Sequence, residues 1–409
     1  MDTNKIRKDF PMLNHKEMQG KPLIYFDNAA TTFKPQSVID TVVHYYEDIS
    51  VNAHRGDYEL SFMVDTEYED SRKVIGEFIH AEAREIIFTS GASGSLNLVA
   101  YGYGRKYLKK GDVVLSTEAE HASNILPWMK ACEETGAIIE YIPLDDEGHL
   151  SIENFKKVMH DKVKVVAIAH VTNVLGFIVP IKEICAIAHE YGAKVIVDGA
   201  QSLPHMPVNV KDLDCDFFAF SAHKMCGPTG VGVLYGKYDL LCNMDPFMLG
   251  GGSNARFDMC GNILLKNPPY KFEAGTPAIE AVLGMKAACL YLNKIGMENI
   301  QAYEHELRTY MIQEMKKLDN TIIYNEHGDA AIITFNVKDI FAQDAATYFN
   351  TKGIAVRSGQ HCAKLLMERL ATSATIRASL YFYNTKDEID EFIKVLATAT
   401  LENCLNVFF

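Results

Sequence analysis

The sequence predicts an α/β protein, with a large domain built on a mostly parallel seven-stranded sheet and a smaller α+β domain after it. Two patterns carry this expectation. From about Leu23 onward, short apolar runs of strand length alternate with longer stretches at helical spacing, as in a parallel sheet covered on both faces. Each run then ends in polar or glycine residues instead of a tight hairpin, so loops at one carboxyl edge can build a site. A change of pattern marks the second domain: from about Thr321 the runs TIIYN, AIITFNV, IAVRSG and IRASLYF read as strands with turns and helical segments between them. The expected division is an N-terminal segment, 1–22, packing with the small domain, a large domain, 23–298, and a small domain, 299–409. No internal repeat and no Pro/Ser/Gly-rich linker interrupts the chain.

Taken in order, residues 23–26 form the first short strand and end in DNAATT. Residues 86–89 form the next, followed by SGASGS and an apolar helix from Leu96. Residues 113–116 end in TEAEHASN, 163–169 in HVTNVLG, and 194–197 in DGAQS. The run FFAFS, 217–221, is followed by His223 and Lys224, after which Gly227, Pro228 and Gly230 break the chain; residues 231–235 complete the set. Between strands, IKEICAIAHEYG carries Ile181, Ile184, Ala188 and Tyr191 at helical spacing. After Gly250-Gly251-Gly252 the sequence is irregular to about Pro277, and a long helical stretch begins near Ile279.

Composition narrows the function. With 40 Lys and Arg against 53 Asp and Glu, the formal charge is −13, which argues against nucleic acid or an anionic membrane surface as partner. The N-terminus lacks a signal-peptide core and no apolar run is long enough to span a bilayer, so a cytoplasmic location is expected. The nine cysteines are scattered and contain no CxxC pair, leaving a metal site without support.

Four loops carry chemistry. A lysine at the carboxyl end of a buried strand is partly desolvated, which lowers its pKa and frees the amine for Schiff-base formation. Alone, the pattern at Lys224 also suits a solvated lysine in a surface turn. SGASGS, at a strand-to-helix junction, offers backbone N–H groups and the Ser93 hydroxyl to an anion, although neither GxxxxGK[ST] nor GxGxxG is present. Asp198 could cap the next helix, or hold a heterocyclic N–H⁺ as the partner of a pyridinium. His121 could be structural, or an imidazole that stacks on an aromatic cofactor and exchanges protons.

These residues and Asn173 occur in order, each at the end of a separate strand, and at that point the chain resembles a known family. DNAATT, EHASNILPW, VDGAQS, SAHK–GPTG, FEAGTP and RSGQHCA together resemble the class-V aminotransferase group of pyridoxal-5'-phosphate (PLP) enzymes with fold type I, and within it the SufS-type cysteine desulfurases and selenocysteine lyases. The resemblance runs from roughly Phe10 to Val395. It implies that Lys224 carries the cofactor as a Schiff base, that Asp198 partners the pyridine nitrogen, and that Gln201 donates to the phenolic oxygen. His121 would stack on the ring and move protons. Ala92, Ser93, Ser221 and His223 would hold the phosphate, with Thr276 reaching it from the second subunit of a homodimer with a shared active site. Asn173 and Arg377 would bind the substrate carboxylate, and Arg357 would line the same pocket.

Cys362, five positions after Arg357, is one of nine cysteines, and burial as a small hydrophobe is the plain alternative for each. Its neighbours His361 and Arg357 are read as cations that favour a thiolate. The resemblance then implies a persulfide on Cys362, with L-cysteine converted to L-alanine for sulfur mobilisation or iron–sulfur cluster assembly, the EC 2.8.1.7 type of sulfurtransferase. A SufE- or SufU-like protein would accept the sulfur. The alternatives are a selenocysteine lyase or cysteine-sulfinate desulfinase and, in another class, a non-catalytic PLP-holding scaffold. Against relatives, Gly91-Ala92-Ser93-Gly94 lacks one hydroxyl and an acidic residue, GGGSNARF lacks a glutamate, and Gln343-Asp344 lacks a histidine before the aspartate.

Overall fold

The computed structural model describes residues 1–14, 16–54 and 56–408. Its centre is a seven-stranded sheet of β1 (Ile86–Thr89), β2 (Val113–Ser116), β3 (Ile138–Tyr141), β4 (Val163–Ala169), β5 (Lys194–Asp198), β6 (Phe217–Ser221) and β7 (Gly232–Gly236), in the order β1-β7-β6-β5-β4-β2-β3. Only β7 runs against the others, pairing antiparallel with both β1 and β6. The uninterrupted apolar runs follow from burial on both faces, because successive side chains point to opposite sides of the pleat. On β4, Val166 and Ile168 enter one core layer, while Val165 and Ala167 enter the other. On β6, Phe218 and Phe220 face the first layer, and Phe217 and Ala219 the second.

The small domain is a four-stranded antiparallel sheet of β8 (Thr321–Ile323), β9 (Ile332–Val337), β10 (Arg357–Gly359) and β11 (Thr375–Ser379), in the order β8-β9-β11-β10. Phe335, Phe349 and Phe392 cluster in its core at ring separations of 5.5 to 6.4 Å. The last residues, LENCLNVFF, form the helix Leu401–Leu405 and bury Cys404 in that core; Phe409 lies outside the described residues. At the other end of the chain, Arg7 donates to the Tyr383 carbonyl at 2.6 Å and pairs with Glu388 at 2.8 Å.

Three sequence expectations need correction. Residues 23–26 do not join the large sheet: Ile24–Tyr25 pairs in parallel with Ile354–Ala355, and Ile24 and Phe26 sit in the small-domain core. The seventh strand is β3, at an edge, where Ile138 is half exposed; a short strand with so little burial leaves no apolar run to read. Residues 250–277 are not wholly irregular, since Asn254–Phe257 and Ile263–Leu265 form a hairpin on which Phe257, Ile263 and Leu264 are exposed. Beyond it, the helical stretch is two helices, Ile279–Ile295 and Met297–Met315, broken at Gly296, whose φ of +91° suits glycine. Among the described residues no helix is long and apolar enough to cross a membrane.

Candidate active site

Parallel strands bring their carboxyl ends to one edge, and the loops there enclose a cavity of about 200 Å3. Ala92 and Ser93 reach it after β1, His121 after β2, Asn173 after β4, Asp198 and Gln201 from β5, and Ser221, His223 and Lys224 from β6. The small domain contributes Arg357, Cys362 and Arg377. Thr276 is absent from the lining: it is exposed, and its hydroxyl accepts from Asn52 Nδ2 at 3.2 Å. Its segment is anchored nearby, where the buried Arg72 meets Glu273 through two contacts of 2.6 and 2.8 Å.

Desolvation lowers the Lys224 pKa to about 8, with Arg377 and Arg357 pushing the same way and Asp198 opposing. About a tenth of the lysine is therefore free amine at neutral pH, far more than an ordinary lysine offers. Asp198 stays aimed by the Ala200 N–H, which donates to Oδ1 at 3.0 Å. Burial, followed by the Lys224 charge, lowers the pKa of His121 and keeps its ring neutral; Nδ1 accepts the Ser123 N–H at 3.1 Å and caps the helix Ala122–Thr135. His223 is pushed down to about 4, first by burial and then by Lys224 and Lys34.

Beside them lies an anion cradle. Gly91, at φ +144°, turns the chain into the helix Ala92–Val99, and Gly232 passes so close that an added Cβ would lie 2.5 Å from the Gly91 Cα. The Ala92 N–H donates to Ser221 Oγ at 2.7 Å, and the Ser93 and Ser123 hydroxyls meet at 2.6 Å. A helix N-terminus ringed by hydroxyls is suited to a phosphate.

The small-domain half differs from expectation in one respect. His361 is not a cation: burial and then Arg377 and Arg357 push its pKa down to about 3, and Nε2 lies 2.9 Å from Thr375 Oγ1. Positive charge near Cys362 comes instead from Lys224, Arg357 and Arg377, which share the cavity with it. His361 and Cys362 both adopt left-handed backbone, at φ +51° and +58°, which is strained for residues with a Cβ. Two contacts brace this turn against the large domain: Asn173 Nδ2 donates to the His361 carbonyl at 2.8 Å, and the Ala122 N–H to the Cys362 carbonyl at 2.7 Å. The Cys362 side chain itself is exposed.

Arg377 donates to the Asn173 carbonyl at 2.9 Å and lies 3.5 Å from Asp27, whose carboxyl burial raises above its usual range. Gln201 uses Nε2 on the Ala29 carbonyl at 2.8 Å, so one of its two N–H donors is already engaged. Several lining residues went unassigned in the sequence: Ala29 and Ala30 in DNAATT, Ser123 in EHASN, and His361, which was read only as a neighbour of Cys362. Lys34 also escaped notice; it donates to the His223 carbonyl at 3.3 Å behind the cavity.

The model of the family described as "Aminotransferase class-V" matches residues 24–392. The chain belongs to the class-V aminotransferase family. Within that family, it is 46% identical over 399 residues to a probable cysteine desulfurase of Halalkalibacterium halodurans, covering 97% of each chain. The apo cysteine desulfurase of Thermococcus onnurineus superposes with a TM-score of 0.92 at 39% identity, covering 97% of each chain. The S-sulfonic acid form of the Escherichia coli cysteine desulfurase CsdA gives 0.90 at 30% identity, covering 99% of each. This class-V chain is thus similar over nearly its whole length to proteins named cysteine desulfurase.

Proposed function

We propose that this chain is a PLP-dependent cysteine desulfurase, which takes sulfur from L-cysteine, releases L-alanine and holds the sulfur as a persulfide on Cys362. The observation that carries the reading is that Lys224 and Cys362, from different domains, face one cavity. The residues present fit the cofactor: a lysine of lowered pKa at Lys224, a buried carboxylate at Asp198, a hydroxyl-ringed helix N-terminus, and buried polar atoms at Gln201 Oε1, Asn173 Oδ1 and Arg377 Nε that have no hydrogen-bond partner among the described residues. When bound, PLP supplies an electron sink for negative charge developing on the substrate.

The protein's own groups have distinct tasks. Lys224 would hold the cofactor covalently and later move the substrate's α-proton. Asp198 would accept a hydrogen bond from the pyridine N–H, and the second N–H of Gln201 would reach the phenolic oxygen. His121, neutral and flat, would cover the ring and carry a proton. Ala92, Ser93, Ser221 and His223 would orient the phosphate. Arg377 would bind the substrate carboxylate, aided by Arg357 and Asn173, and so aim its sulfur at Cys362. The Cys362 thiolate attacks that sulfur; an S–S bond forms as the C–S bond breaks, and the β-carbon takes the electron pair and a proton to give alanine.

The finer assignments rest on narrower support. Thr276 would complete the phosphate site of a second copy in a homodimer; its exposure, on a segment held by the Arg72–Glu273 pair, supports that reading. An exposed Cys362 suits delivery of persulfide sulfur to an acceptor protein of the SufE or SufU kind, for cluster assembly. The deciding experiment follows alanine and sulfide released from L-cysteine in the presence of a thiol reductant. Wild type should turn over many times and Cys362→Ala should not. Equal sulfide release by both, or by neither with PLP bound, would refute the desulfurase reading.

A further inference from the structure

Glu120, the residue before His121, is buried and has no task in the mechanism above. Among the described residues no cation offsets its charge. Its partners are three neutral donors on three segments: Thr117 Oγ1 at 3.0 Å, just after β2; Asn124 Nδ2 at 2.7 Å, in the first turn of the helix that His121 caps; and the Ala169 N–H at 3.1 Å, at the end of β4. Ala169 is the register partner of Asp198 on β5, and the next N–H, of His170, donates to the Asp198 carbonyl at 2.9 Å. One carboxyl group therefore ties the loop bearing His121 to the strand ends that carry Asn173 and Asp198.

A buried carboxyl without a counter-charge is costly, so its geometry should serve whichever charge it carries. Asn124 Oδ1, next to the bond that the same side chain makes with Glu120, has no partner among the described residues. Turning that amide lets Asn124 accept from a protonated Glu120, where the present orientation donates to an ionised one. Burial, then the Asp198 charge, raises the Glu120 pKa to about 7. The other ionisable groups nearby are His121 on the same loop, half-buried Glu118, and His170 beside Ala169, which burial pushes to about 4 and keeps neutral.

We propose that Glu120 is a positioning residue, holding His121 and Asp198 at their separation across the cavity in either of its charge states. The inference rests on the reading of those two residues as cofactor contacts. Glu120→Gln keeps an acceptor for Thr117 and Ala169 and can meet the turned Asn124 amide, whereas Glu120→Ala removes all three contacts.

In cofactor-loaded protein, Glu120→Ala should lower kcat about 100-fold with little change in KM, and shift the pH midpoint of the cofactor's visible absorbance. Glu120→Gln should retain kcat to within about threefold. If the alanine variant does not fold, Glu120→Asp, too short to reach all three donors, should show the same loss. In cofactor-stripped protein, wild type should lose Tm relative to Glu120→Gln as pH rises from about 4.5 to about 7, with the difference constant above that, because the folded state releases its proton at higher pH than the unfolded chain. A wild-type kcat and absorbance midpoint in Glu120→Ala, or parallel Tm profiles for wild type and Glu120→Gln, would overturn the proposal. The stripped-protein comparison decides on Glu120 even if the PLP reading fails.

Discussion

The two halves of the cavity are built on opposite principles. The Lys224 half stands on the ends of strands buried on both faces, with Asp198 buried and aimed by a backbone N–H. The Cys362 half stands on a turn of two consecutive left-handed residues, braced by Asn173 and Ala122 and open to solvent. The first half is pre-organised around charge, and lowers the lysine's pKa by withholding water. The second presents a thiol that lines the cavity and is also exposed, which a residue on a core strand could not be. Under the function proposed above, in which the site accepts a sulfur atom and passes it on, both kinds of support are needed.

Substitutions can separate these halves. The largest effect is expected from Lys224→Ala: kcat should fall about 10⁴-fold, and borohydride treatment followed by dialysis should leave no PLP on the protein. Cys362→Ala should lose activity yet keep borohydride-trapped PLP as wild type does; loss of trapping there would break the division. Arg377→Ala should raise KM for L-cysteine about 10- to 100-fold, measured by alanine formation, since it removes a buried carboxylate partner.

Stability sharpens the contrast further. The folded pKa of Lys224, about 8, lies below its ordinary value of 10.5, so the folded state binds its proton less tightly than the unfolded chain. The stability it contributes is present above pH 10.5 and is lost as pH falls through about 8. Cofactor-stripped Lys224→Met should therefore be more stable than wild type at neutral pH by about 1–3 kcal/mol in urea titrations, with the gap closing toward alkaline pH. The smallest effect belongs to the strained turn. Cys362→Gly should be more stable than Cys362→Ala by up to about 1 kcal/mol, because glycine enters the left-handed region without a Cβ clash.

Legibility followed locality. Lys224, Asp198, His121 and Asn173 were visible because each follows its own strand within a few residues, and a parallel sheet collects such ends without further instruction. Edge strand Ile138–Tyr141 escaped because half-exposed residues leave no continuous apolar run, and residues 23–26 were misplaced because an apolar strand does not declare which sheet it joins. The charge of His361 was misread for a related reason: adjacency to cysteine was visible, but its burial beside Thr375 and two arginines was not. Glu120 carries no signal of its own in the sequence, because its three donors lie on segments that only the fold brings together.

The sequence by itself determined the fold class, the family, and the order of chemical groups along the sheet edge, since all three are carried by local runs and short motifs. The tertiary structure alone decided the charge states and the geometry. A pKa depends on which distant segments exclude water and which charges they bring: Lys224 owes its lowered value to desolvation, to Arg357 and Arg377 from the small domain, and to the opposing Asp198 from the neighbouring strand.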